Sequence, residues 1–87
     1  MATKKIDFKV RAMTIDEFGA FLDESEKVEQ EVKNQTRRGF KLAKWVIENV
    51  YKVETNVVNG MTPGTMFDIF MRTQRMSEKS QLDELKN

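Results

Sequence analysis

Cysteine and histidine are both absent from these 87 residues, and proline, tryptophan and tyrosine occur once each. Without cysteine there is no disulfide framework and no thiolate metal site. Without histidine, the usual acid–base group at neutral pH and the commonest metal ligand are missing. Serine stands only at positions 25, 77 and 80, each amid charge and in no nucleophile motif. Gly60, Gly64 and Pro63 do not make a phosphate-cradling loop, which would close on Gly-Lys-Ser/Thr. No apolar run approaches the roughly 20 residues that a membrane helix requires. Lys4 and Lys5 precede a short alternating segment rather than the apolar core of a signal peptide. These absences set the expectation of a cytoplasmic protein that is not an enzyme, with no catalytic residues, no metal, no cofactor and no membrane partner. Acidic pairs such as Asp16–Glu17 and Asp23–Glu24 read as solvated helix-end charges.

What is present is a globular balance, 39% hydrophobic and 33% charged, with a net charge of +1. So short a chain has room for one domain with a modest core. The near-zero net charge gives no global field toward nucleic acid or membrane. Lys4 to Arg11 alternate with period two, placing Ile6, Phe8 and Val10 on one face of a half-buried strand. A strand needs a pairing partner. Within the chain the candidate is the extended-favouring stretch around 55–58; otherwise another copy or a partner supplies it.

Helical signals follow. Thr14 can cap, Glu17 can complete a capping box, and Met13 can staple onto Phe18, opening a short helix that ends near Leu22 or Glu24. From Ser25 to about Tyr51, Val28, Val32, Thr36, Gly39, Ala43, Val46 and Val50 step by fours and threes, and the seam continues to Val53. The pattern predicts one helix roughly 40 Å long, with Phe40 and Ile47 widening the seam. Asn59-Gly60 marks a turn. Thr62 as cap and Pro63 at the first helical position open a terminal helix that runs to about Met76, with Met61 placed to staple onto Met66. The expected architecture is therefore mostly α: a small three-helix domain over residues 1–76 with a short N-terminal β-strand and a second short strand near 55–58. Residues 77–87 form a polar tail.

Three surfaces could carry function. In the terminal helix, Met61, Met66, Met71 and Met76 recur every five residues, and the apolar side chains from Met66 to Met76 span roughly 220° of the circumference. That arc exceeds one packing face, so the helix lies at the centre of a bundle or offers a second face to a partner. Methionine suits surfaces that must accept irregular apolar partners. Met66, Phe67, Phe70 and Met71 are the candidate protein-binding residues, with Trp45 second. Trp45 falls on the polar side of the long helical pattern near Arg38, Lys41 and Lys52. It is either an aromatic anchor or a side chain packed beneath another helix. Lys33, Arg37, Lys41 and Lys44, with Arg38 adjacent, make a basic stripe. That stripe is a solvated face, a protein contact or, in the alternative reading, the nucleic-acid site of a small regulator in which Arg37, Arg38, Lys41, Lys44 and Trp45 act together. Residues 16 to 31 hold seven acids and one base, residues 33 to 44 five bases and no acid; such an order suits a helix dipole. A plain dimerising adaptor is a further alternative.

The strand, the capped helix opening MTIDEF, the charged helix containing FKLAKWVIENV and the terminal helix opening MTPGTMFDIF together resemble the small tail assembly chaperones of long-tailed bacteriophages and prophages. The resemblance covers most of residues 4 to 76 and rests on length, element order and character rather than on a chemical motif. It implies a mostly helical, non-enzymatic, homo-oligomeric protein in the cytoplasm of the bacterial host. Its client would be the long helical tape-measure protein, held until tail-tube subunits replace the chaperone. No catalytic residue carries over, because the family has none.

Overall fold

Thr14 opens the first helix as its sequence signals. In the computed structural model, which describes residues 8–79, its hydroxyl accepts the Glu17 N–H at 3.2 Å and the Glu17 carboxylate accepts the Thr14 N–H at 2.9 Å. This reciprocal box satisfies two backbone donors that a helix start otherwise leaves unpaired. The helix it starts, α1 (Ile15–Glu31), does not stop near Leu22 or Glu24 but runs on to Glu31. Ser25 therefore opens no new helix.

The break falls instead at Val32–Asn34, inside the segment expected to be one long helix. Val32 is extended (φ −120°, ψ 117°), and Asn34 caps α2 (Gln35–Asn49) by accepting the Arg37 N–H at 2.9 Å. Arg38 then reaches back across the turn. Its Nε donates to the Val32 carbonyl and its Nη2 donates to the Glu29 carbonyl at 3.1 Å. Carbonyls at a helix C-terminus lack intrahelical partners and carry partial negative charge, so a guanidinium there supplies both donors and the favourable charge. The chain thus reverses, and α1 packs back along α2 as an αα-hairpin. Phe21 and Trp45, each twelve positions from Lys33, meet with ring centroids 6.2 Å apart.

Beyond α2, Lys52 adopts φ 59° and lets the chain turn away, while the Val53 N–H reaches back to the Ile47 carbonyl at 3.3 Å. Residues 55–58, expected as a strand, belong to a short helix, α3 (Thr55–Asn59). The Val57 and Val58 N–H groups donate to the Glu54 carbonyl at 3.0 and 3.1 Å, and Val58 is buried. With no strand beside it among the described residues, the segment satisfies its own backbone by coiling, and the β preference of its valines is overridden. The N-terminal strand is likewise not found among the described residues: 8–11 carry no strand, and the expected positions 4–7, Ile6 included, lie outside them. Thr62 caps α4 (Pro63–Glu78), accepting the Thr65 N–H at 3.2 Å, with Pro63 in its first turn. The described chain therefore has four helices where three were expected, and α4 passes Met76 to take in Ser77 and Glu78.

α2 is the centre of the packing, contacting α1, α3 and α4. Ala43, Val46 and Ile47 are fully enclosed, and Met13, Phe21, Val50, Val58, Met66, Ile69 and Phe70 close around them. Among the described residues the one fully buried polar side chain is Thr73, whose hydroxyl donates to the Ile69 carbonyl at 2.7 Å.

If Arg38 holds the reversal, Arg38→Ala lowers unfolding free energy by about 1–2 kcal/mol in urea titrations, because two carbonyls lose a charged donor. Arg38→Lys recovers less than half of this, since one ammonium does not reproduce the guanidinium fork. An Arg38→Ala midpoint equal to wild type contradicts the assignment.

Candidate protein-docking surface

α4 divides its apolar residues between two sides. Met66, Ile69, Phe70 and Thr73 recur at helical spacing and are all buried, so two of the five sequence-selected residues, Met66 and Phe70, belong to the core. Phe67 and Met71, one turn apart, lie on the outer edge: Phe67 is half-buried and Met71 is 56% exposed. The fifth, Trp45, is half-buried and packs against Phe21. Phe67 is packed against the core that includes Met66 and Phe70 and lines one depression, whereas Met71, one turn on, is open to solvent and lines another.

Two depressions flank this edge. One, open and about 360 Å³, lies between α2 and α4 and is lined by Asn34, Thr36, Arg37, Phe40 and Phe67. Phe40, whose spacing widens the helical seam, is 44% exposed. The reversal at Val32–Asn34 leaves the seam covered by α1 on one side and α4 on the other, and Phe40 sits at the margin of both. The other depression is lined by Val10, Asp68, Met71, Arg72, Arg75 and Met76. Asp68 accepts from Arg72 at 3.1 Å there, an exposed pair worth little. Sequence reasoning missed Phe40, Val10 and Met76 for this surface. The available signal was the width of the apolar arc on α4, which said that some of its methionines must lie outside the core.

Val10 is placed by a polar clamp on the segment before α1. The Arg11 N–H donates to the Tyr51 hydroxyl at 3.1 Å, and that hydroxyl lies 3.0 Å from the Arg11 carbonyl and 2.5 Å from Thr73 Oγ1. Met13 N–H donates to Ser77 Oγ at 2.8 Å, and Ser77 donates to the Thr73 carbonyl at 2.6 Å. The Arg11 guanidinium grips both oxygens of Glu17 at 2.7 and 2.8 Å, donates to the Val50 carbonyl at 2.9 Å and lies 5.5 Å from the Tyr51 ring centroid. Phe8 packs edge-on against the same ring, centroids 4.6 Å apart. Hydrogen bonding from Arg11 is the main reason the Glu17 carboxyl is held at about 2, below its ordinary 4.5; partial burial opposes it and the Thr14 N–H adds to it. The same bond raises the Arg11 guanidinium above its ordinary value.

The basic stripe is not uniform in role. Lys33, Arg37 and Lys41 are exposed and Lys44 is half-buried. Arg38 is engaged by the carbonyls ending α1. Among the described residues, no group of three acidic side chains is close enough to hold a metal, and no helix is long and apolar enough to cross a membrane. Comparison of the chain with protein-family models, curated proteins and solved structures finds no match.

A carboxyl whose folded value lies below its unfolded one contributes stability above the unfolded value and loses it as pH falls. The Glu17 contribution is accordingly complete above about pH 4.5 and disappears as pH falls through about 2. Glu17→Gln, less stable than wild type by about 1 kcal/mol at neutral pH, converges with it in denaturant titrations near pH 2. A gap that persists unchanged to that pH contradicts the ion pair.

Proposed function

We propose that this chain is a non-enzymatic protein-binding module and that it acts as a tail assembly chaperone of a long-tailed phage or prophage, in the host cytoplasm. Its client is an apolar helical segment of the tape-measure protein, held on the outer edge of the Met/Phe-rich terminal helix. The observation that carries this reading is that Phe67, at the margin of the core, and Met71, 56% exposed, follow one another at one-turn spacing on α4. Phe67 shares one depression with Phe40, and Met71 shares the other with Met76 and Val10 among Asp68, Arg72 and Arg75. A helix-in-groove mode needs such a track of apolar side chains, and methionine lets the track accept clients of irregular sequence. Arg37 rims one depression and Arg75 the other, where Asp68 pairs with Arg72, which favours a client whose flanking residues are acidic.

The nucleic-acid reading draws less support. Arg38 is taken up by the end of α1, and Trp45 is packed against Phe21. Arg37, Lys41 and Lys44 remain for a phosphate backbone, on a chain of net charge +1.

The test is binding of a purified helical tape-measure fragment by calorimetry. Met71→Glu is expected to weaken binding by at least about tenfold, the worth of one buried apolar anchor. Its effect on folding should be small, because Met71 is exposed. Unchanged client affinity in Met71→Glu and in Phe67→Ser, with the fold intact, contradicts this site. Binding that collapses with added salt and transfers to nucleic acid contradicts the function.

A further inference from the structure

α1 packs on α2, with Phe21 and Val28 as its buried residues. Three large apolar side chains of the same helix stay out of that contact: Ile15 is 88% exposed, Leu22 51% and Phe18 39%. Positions 15, 18 and 22 fall within about 60° of one another on a helix, so they form one stripe. Phe18 leans on Phe21, ring centroids 6.2 Å apart, which fixes one edge of it.

Gly19 lies beside this stripe, between the turns of Ile15 and Leu22. Glycine inside a helix is less stable than alanine, and it is useful where another segment approaches the backbone closely. The chain itself supplies no such approach, because a Cβ at position 19 would meet nothing within 4 Å. The position is a notch open to the outside. Further along the same face stand Glu26 and Glu29, with Asp23 at its margin, all exposed. Lys27, the one base of α1, falls about 80° outside this arc. Among the described residues the ion pairs are Arg11–Glu17 and Arg72–Asp68, so these three carboxylates hold no salt bridge there.

We propose that the outer face of α1 docks a cationic amphipathic helix of a different protein. Apolar side chains of that helix cover Ile15, Phe18 and Leu22, one of them seats in the Gly19 notch, and its lysines or arginines meet Asp23, Glu26 and Glu29. How closely two helices pack is set by the side chains at the crossing, and a glycine there brings the axes together. A lipid surface fits poorly, since helices that lie on membranes carry lysine and arginine beside their apolar stripe. A second copy fits poorly too, because α1 against α1 sets acids against acids. The face shares no residue with the outer edge of α4, and the proposal stands apart from the client reading.

The probe is a labelled synthetic helix with leucine along one face and lysine beside it, titrated with the full chain and read by fluorescence anisotropy. A twin with glutamate in place of lysine is the control. The lysine peptide is expected to bind, less tightly as salt is added, and the glutamate peptide is not. Leu22→Ser is expected to weaken binding at least about tenfold. Gly19→Ala separates docking from folding. It raises the urea midpoint, since alanine is the better helix former, yet weakens binding about fivefold or more because its methyl fills the notch. Equal binding of the two peptides overturns the proposal, as does unchanged affinity in Leu22→Ser or in Gly19→Ala. A loss in Met71→Ser with none in Leu22→Ser moves the peptide to α4 and overturns it as well. Sedimentation of the chain alone and flotation with zwitterionic vesicles check the other occupants. Self-association or vesicle binding that Leu22→Ser abolishes gives the face to a second copy or to lipid, and either contradicts a heterologous helix.

Discussion

Arg38 belongs to the first turn of α2, yet its guanidinium is bonded to the last carbonyls of α1. That contact pins the reversal at Val32–Asn34, and the rest of the packing depends on the reversal. A continuous helix from Ser25 to Tyr51 would be roughly 40 Å long and would carry its apolar seam past the reach of so small a domain. Folded back, α1 brings Phe21 within 6.2 Å of Trp45 and 6.0 Å of Phe70. α2 is then enclosed between α1 and α4, which is why Ala43, Val46 and Ile47 reach zero exposure. In a domain with few fully enclosed side chains, each of these contributes a large share of the hydrophobic stabilisation.

The second constraint is the clamp on residues 11–17. Tyr51 and Thr73 share hydroxyl hydrogen bonds in a region that is otherwise apolar, and Arg11 ties the segment to Glu17 and to the end of α2. Buried or half-buried polar groups are costly unless each finds a partner, so the cluster fixes one arrangement of three parts of the chain. It sets Val10 beside Met76 and Met71. The outward edge of α4 therefore depends on the clamp for one wall and on the helix reversal for the other, where Phe40 faces Phe67.

Local chemistry was the legible part of this fold. The starts of α1 and α4 were evident because Thr14, Glu17, Thr62 and Pro63 each meet a backbone need within three residues. The reversal was not evident, because no glycine or proline marks it and Val28, Val32 and Thr36 continue the helical period across it. Asn34 was the available cap signal, and its partner Arg38 acts over a distance that periodicity does not register. Val57 and Val58 suggested a strand by propensity, but a strand requires a neighbour, and the described chain offers none there. Of the candidate site, the apolar excess of the terminal helix was legible. Which of its residues are buried depended on where α2 lies, so Met66 and Phe70 could not be separated from Phe67 and Met71 by spacing alone. Ser77, read as part of a polar tail, proved to hold the backbone of Met13.

The reversal is tested most directly by proton–proton Overhauser contacts in solution between the Phe21 ring and the Trp45 indole. With centroids 6.2 Å apart, cross-peaks between ring-edge protons are expected, together with a break in sequential helical contacts at Val32–Asn34. A continuous helix would separate these two residues by roughly 36 Å. Unbroken helical contacts through residues 32–34 with no Phe21–Trp45 cross-peak would contradict the hairpin, and with it the placement of Phe40 and Phe67 on a common surface.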